Sequence, residues 1–142
     1  MVNGVERAEG GRIIPVLRYR NAKAAIDWLG MAFGFEAKMV VPGEGERIAH
    51  AELVLENGMI MLGDAETEYG NLVRPPAPPD RVNTQSTYVV VADVDGHYAR
   101  AKAAGAEIVL DLKTQDYGGR DYTCRDLEGH IWTFGTYDPW VS

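Results

Sequence analysis

The period of the hydrophobic pattern switches several times along the chain, and each switch marks an element. Ile13 to Arg20 alternate with period two, which places Ile14, Val16 and Arg18 on one face of a strand. Ala24, Ala25, Trp28, Leu29 and Ala32 then recur at helical spacing. Asn21 suits the helix cap, because its side chain can accept from an exposed backbone amide. Gly34 suits the end of the helix. Phe35 to Val41 read as a second strand, and Pro42-Gly43-Glu44-Gly45 as a turn. Arg47 to Leu55 and Met59 to Leu62 read as a hairpin joined through Asn57-Gly58, a dipeptide that accepts positive backbone angles. Within it Ala51, Leu53 and Leu55 alternate with Glu52 and Val54.

The same order of periods returns in the second half. Tyr88 to Ala92 predict a strand, Asp93 or Asp95 a helix cap, and Ala104-Gly105 the helix end. Glu107 to Leu110 predict another strand, and Gly118-Gly119 a loop or bulge. Asp121 to Arg125 and His130 to Gly135 predict a closing hairpin across Asp126-Leu127-Glu128-Gly129. Asn21 aligns with Asp93, 72 positions on, and Gly58 with Gly129, 71 positions on. Two copies of a strand, helix and three strands imply a shared interior in which a small molecule would sit. We therefore expect residues 1–142 to form one domain, with modules at 12–64 and 86–137 and a linker at 65–85. Met1 to Gly11 read as a loose leader. Pro75, Pro76, Pro78 and Pro79 break the pattern between the modules.

Composition narrows the function classes. A chain of 142 residues, 46% hydrophobic, has enough apolar material for a packed core. The formal charge of −7 argues against a non-specific grip on nucleic acid, which needs a concentrated positive surface. Cys124 is the single cysteine, so no intrachain disulfide can form, as suits a reducing compartment. The N-terminal ten residues lack the apolar run of a signal peptide, and no stretch reaches bilayer-spanning length. A soluble cytoplasmic protein with no membrane partner is expected.

The segments Ile14-Pro15-Val16-Leu17-Arg18-Tyr19, Ala24-Ala25-Ile26-Asp27-Trp28 and Ala32-Phe33-Gly34-Phe35 occur in an informative order. Ala51-Glu52-Leu53 and Ile60-Met61-Leu62-Gly63-Asp64 follow, then Tyr117-Gly118-Gly119-Arg120 and Asp126-Leu127-Glu128-Gly129-His130-Ile131-Trp132. Together they cover most of the chain, and the pattern resembles the vicinal oxygen chelate superfamily of glyoxalases, extradiol dioxygenases and bleomycin-resistance proteins, in particular its PhnB-like branch. The resemblance implies an α+β fold of two paired βαβββ modules forming a curved mixed sheet around a cleft. It also implies, for metal-bearing members, four His, Glu or Gln ligands on the first and last strands of the modules. Carried onto this chain, those positions are Ile14, Met61, Ser86 and Thr133. None is a carboxylate or an imidazole, so no metal site and no cofactor are expected.

Other residues keep chemical potential. His50 and Glu52 share a strand face and could orient a proton or contribute to a metal site; a solvent-facing pair opposite Ala51 and Leu53 is the plainer expectation. Arg18 shares parity with Ile14 and Val16, and a guanidinium directed inward needs a carboxylate or phosphate, from a ligand or from Glu52. Arg120 and Tyr122 are expected to line the second module, with Tyr117 on its loop; Arg18, Glu52, Arg120 and Tyr122 form the expected ligand-binding set. Trp132 is expected to pack between sheet and helix, and Trp28 on an apolar helix stripe. His97 is expected to be exposed, His130 to orient a turn, and Cys124 to be a structural thiol. The glycines form no nucleotide-binding fingerprint.

The resemblance then favours a metal-independent protein that binds and sequesters a small organic molecule, like a bleomycin-resistance protein in antibiotic resistance. The alternative is a lyase or dioxygenase with a non-standard metal arrangement around His50 or Glu52; a third is an interaction module whose cavity has filled. A homodimer is expected by resemblance and from extended sheet edges.

Overall fold

A computed structural model describes residues 10–66 and 72–141. Most of the expected leader, and part of the expected linker, lie outside the described residues. Along the chain run β1 (Val16–Tyr19), α1 (Ala22–Phe33), β2 (Glu36–Pro42), β3 (Ile48–Leu55) and β4 (Gly58–Asp64). They are followed by β5 (Thr87–Val90), α2 (Val94–Ala103), β6 (Glu107–Thr114), β7 (Arg120–Arg125) and β8 (Ile131–Gly135). The chain divides into two compact units, Met1–Ile26 with Gly34–Arg74, and Asp27–Phe33 with Pro75–Ser142.

The first unit holds a sheet of order β1-β4-β3-β2, in which β1 runs parallel to β4 and the other pairs are antiparallel. Its register puts Leu17, Tyr19, Ile60, Leu62, Ala51 and Leu53 on one face, and all six are buried. Asp64 lies on that face too. Its carboxylate accepts from the backbone amides of Ala22 and Ile48, fixing the helix start against the sheet. Asn21 caps α1 as the sequence predicts, its side-chain oxygen accepting from the Ala24 amide at 3.1 Å. Gly34 leaves the helix at φ +93°, a conformation costly for a residue with a Cβ. The β3–β4 turn differs from the Asn57-Gly58 expectation. Leu55 pairs with Gly58, and the positive φ, +54°, falls on Glu56.

The second unit repeats the plan with a sheet of order β5-β8-β7-β6. Its register places Trp132, Phe134, Tyr122 and Cys124 on one fully buried face. Phe33, from the second half of α1, meets Phe134 with ring centroids 4.6 Å apart and Trp132 at 5.4 Å. The end of α1 is held by polar groups of α2. Arg100 donates to the carbonyls of Gly30 and Met31, and His97 to that of Phe33. These are carbonyls that the helix itself leaves unpaired. In return the Trp28 indole donates to the Ala104 carbonyl at 2.9 Å. Asp93, one of the two expected caps, closes the start of α2 by accepting from the Gly96 amide.

The duplication is visible in the registers: Met61 lies opposite Val16 and Thr133 opposite Tyr88, so Val16 and Tyr88, and likewise Met61 and Thr133, correspond at an offset of 72 positions. The expectation of one curved mixed sheet around a cleft is not met. The two modules form separate open four-stranded sheets, neither closed nor strongly curled. The outer strands β1 and β5 have only four residues each, which leaves a short edge for closure. Each sheet is nonetheless mixed, as expected, since each begins with a parallel pair.

Candidate functional site

The face of the first sheet opposite its buried residues is built from alternate positions. Val16, Arg18, Met61, Gly63, His50 and Glu52 occupy it, with Met39 and Val41 on the adjoining strand. Val16, Met39 and Val41 are exposed there, and Arg18, His50, Glu52 and Met61 are half-buried. Gly63 sits opposite Arg18 in the β1–β4 register. A Cβ on Gly63 would strike the Arg18 guanidinium and lie 2.7 Å from the Ala49 carbonyl oxygen. The missing side chain thus lets the guanidinium lie across β4 toward β3. There His50 Nε2 and Glu52 Oε2 are 3.0 Å apart. A carboxylate only accepts, so Nε2 carries the proton of this bond. This face therefore offers a cation, a hydrogen-bonded imidazole–carboxylate pair, and thioether and aliphatic surface together.

In the second unit the expected ligand residues fall elsewhere. Tyr122 is fully buried beside Phe134, and its hydroxyl is 2.6 Å from His97 Nδ1. Burial pushes its phenol well above the ordinary range. Arg120 is partly exposed, donating from Nε to Asp95 Oδ1 at 3.0 Å and from a terminal nitrogen to Thr114. Neither shares the face of Thr133, whose hydroxyl is 2.7 Å from that of Thr123. Cys124 is buried, and desolvation together with Asp126 pushes its thiol up to about 12. That environment disfavours a thiolate nucleophile.

His97 departs from the expectation of an exposed residue. It is half-buried, with both ring nitrogens engaged, and burial lowers its pKa. A signal was present: Val94, His97, Tyr98 and Ala101 lie at i, i+3, i+4 and i+7, one inward helical stripe. His130 does help shape its turn, through its backbone. Its amide donates to Asp126 Oδ1, and its carbonyl accepts from the Asp126 amide.

The metal-ligand positions implied by the fold can be tested by donor chemistry. Ile14, half-buried just before β1, has no lone pair, and Met61 has a thioether. Ser86, exposed just before β5, and Thr133 have neutral hydroxyls. This set does not fit a hard or borderline dication. Among the described residues no three His, Cys, Asp or Glu side chains come together as a cation site. No helix among them is long and apolar enough to cross a membrane.

Comparison with known proteins agrees with the fold. The chain is 36% identical to TioX from Micromonospora sp. ML1, whose crystal structure superposes with a TM-score of 0.71 over 89% of this chain and 98% of that one. It is 32% identical over 122 residues to Mb0911c of Mycobacterium bovis, covering 85% of this chain and 80% of the relative. A fosfomycin resistance protein, FosX from Listeria monocytogenes, shares the fold with a TM-score of 0.65 at 13% identity, over 91% of each chain. That structure is of a mutant complexed with Mn(II) and 1S,2S-dihydroxypropylphosphonic acid. Residues 12–134 match the family described as Glyoxalase/Bleomycin resistance protein/Dioxygenase superfamily, and the chain belongs to that superfamily.

Proposed function

We propose that the chain is a metal-independent small-molecule-binding protein, akin to bleomycin-resistance proteins, that sequesters an organic ligand without breaking a bond. The observation that carries this reading is the donor set. The positions where metal-bearing members hold an ion carry Ile14, Met61, Ser86 and Thr133, while the first sheet still presents a mixed polar and apolar face. Arg18 takes a carboxylate or phosphate of the ligand, and Glu52, oriented by His50, takes a hydrogen-bond donor. Met39, Met61 and Val16 cover apolar surface. Arg120 and Tyr122 contribute indirectly, by fixing α2 against β7. The Tyr117–Arg120 and Asp126–Trp132 segments support placement in the PhnB-like branch. We further propose a cytoplasmic homodimer that binds neither nucleic acid nor membrane; the net charge and the exposed β2 edge support this.

A second reading is favoured by one contact. The 3.0 Å His50–Glu52 pair has the geometry of a proton-transfer couple, as a lyase with a non-standard metal site would require. The two readings separate in one experiment. Chelator-treated full-length protein is screened by thermal shift against a library of organic anions. A true ligand at 100 times its Kd adds about 2.7 kcal/mol of stability, which moves the melting temperature by several degrees. The first reading predicts shifts that survive chelation, that diminish in Arg18→Ala, and that leave the compound unaltered by mass spectrometry. Shifts that require added metal, or a converted compound, support the lyase reading instead.

A further inference from the structure

Three tyrosines and a carboxylate meet at one end of the second sheet, on the face that carries Thr133, so their role rests on the ligand-binding reading above. Tyr117 and Tyr137 face each other edge-on, with ring centroids 5.7 Å apart and planes inclined by 75°. Tyr88 joins them, its hydroxyl donating to the Tyr137 carbonyl at 2.7 Å. Asp121 is joined to the cluster by one bond, one of its oxygens accepting from the Gln115 amide at 2.9 Å and the other from the Tyr117 hydroxyl at 3.0 Å. All three rings stay exposed: 41% for Tyr88, 64% for Tyr117 and 50% for Tyr137.

Two glycines make this convergence feasible. A Cβ on Gly119 would come within 2.9 Å of the Tyr117 ring and 3.0 Å of Tyr137 Cβ. A Cβ on Gly135 would come within 2.6 Å of the Tyr88 hydroxyl and 2.9 Å of Asp121 Cβ. Both pairs therefore close over positions with no side chain.

Among the described residues no charged group donates a hydrogen bond to Asp121. The two groups that donate to it, an amide and a phenol, are neutral. Lys113 is its cross-strand neighbour in β6, yet among the described residues the two form no ion pair. The carboxylate also acts on the neighbouring phenols. Tyr88 is raised by burial and then by Tyr117 and Asp121, and Tyr117 is raised by its bond to Asp121.

Exposed tyrosine rings beside a carboxylate whose donors are neutral match one ligand chemistry. The ring faces carry partial negative charge and the carboxylate a full one, so both attract a cation, and the rings also cover its alkyl groups. We propose that Tyr88, Tyr117, Tyr137 and Asp121 form a binding site for a small organic cation of the quaternary- or protonated-amine class.

Choline and its uncharged dimethylbutanol isostere serve as probes, titrated into the full-length chain and followed through the tyrosine ring resonances by NMR. The site predicts saturable binding of choline that is at least about fivefold tighter than that of the isostere. Tyr117→Ala, at an exposed position, should weaken choline by about two- to fivefold, whereas Tyr117→Phe, which keeps the ring, should stay within about twofold. Asp121→Asn should weaken choline and leave the isostere unchanged. Circular dichroism identifies any variant that fails to fold, and the remaining variants then decide. Absence of saturable choline binding, equal affinity for the isostere, or unchanged affinity in both folded Tyr117→Ala and Asp121→Asn would each overturn the proposal.

Discussion

Replacing Asp126 by Asn alters one atom of the β7–β8 turn, and its consequence can be worked through. The Asp126 side chain is 4% exposed. One oxygen accepts from the amides of Glu128 and His130, both at 3.0 Å. The other accepts from the indole of the fully buried Trp132 at 3.1 Å. Asparagine offers a single oxygen. With that oxygen on the two backbone amides, its NH2 group meets the indole N–H, and two donors face each other. Leaving a buried donor unmatched costs about 1–3 kcal/mol, so we expect Asp126→Asn to lose roughly 2 kcal/mol. Urea denaturation, with a slope of about 1–3 kcal/mol per molar for small proteins, should show the midpoint falling by about 1 M. Trp132→Phe removes the indole N–H and hence the conflict. The double variant should then be less destabilised than the sum of the singles, with a coupling of about 1 kcal/mol or more. A midpoint unchanged by Asp126→Asn, or strict additivity with Trp132→Phe, would refute the assigned role of this carboxylate.

Two further predictions concern other parts of the fold. Gly63→Ala should cost about 1–3 kcal/mol, because the new methyl meets the Ala49 carbonyl oxygen, a backbone atom that cannot swing aside; wild-type stability in a chemical melt would contradict it. His97 should make stability depend on pH. Burial favours its neutral form, and Tyr122 and Arg100 are the titratable and charged groups facing it. Its folded pKa therefore lies below the unfolded value of about 6.5, so the unfolded chain takes up the proton first. This contribution is fully present above about pH 6.5 and is lost as the pH falls toward the folded pKa. The stability difference between wild type and His97→Gln should shrink over that interval, and a constant difference from about pH 7.5 to about pH 5 would contradict the assignment.

Much of the architecture was legible in the sequence because each local signal agreed with the next. Asn21 and Asp93 cap their helices, Gly34 ends one, and the repeat of about 72 positions reappears in the strand registers. Alternation along β3 correctly separates Ala51 and Leu53 from His50 and Glu52. The curvature of the sheet was not legible, since closure depends on how outer strands pair, and residue alternation carries no information about that. Alternation also fails where a histidine counts as polar. His97 satisfies both nitrogens internally and so occupies an inward stripe that hydropathy assigns to solvent. The tyrosine cluster escaped for a related reason: Tyr88, Tyr117 and Tyr137 lie far apart in sequence, and only the β5–β8–β7 register and two glycines bring them together.

Metal analysis of untagged protein tests the central claim most directly. Positions bearing an alkyl group, a thioether and two neutral hydroxyls should retain less than about 0.2 equivalent of transition metal after desalting. One equivalent of tightly held ion, released by His50→Ala or Glu52→Ala, would contradict the account.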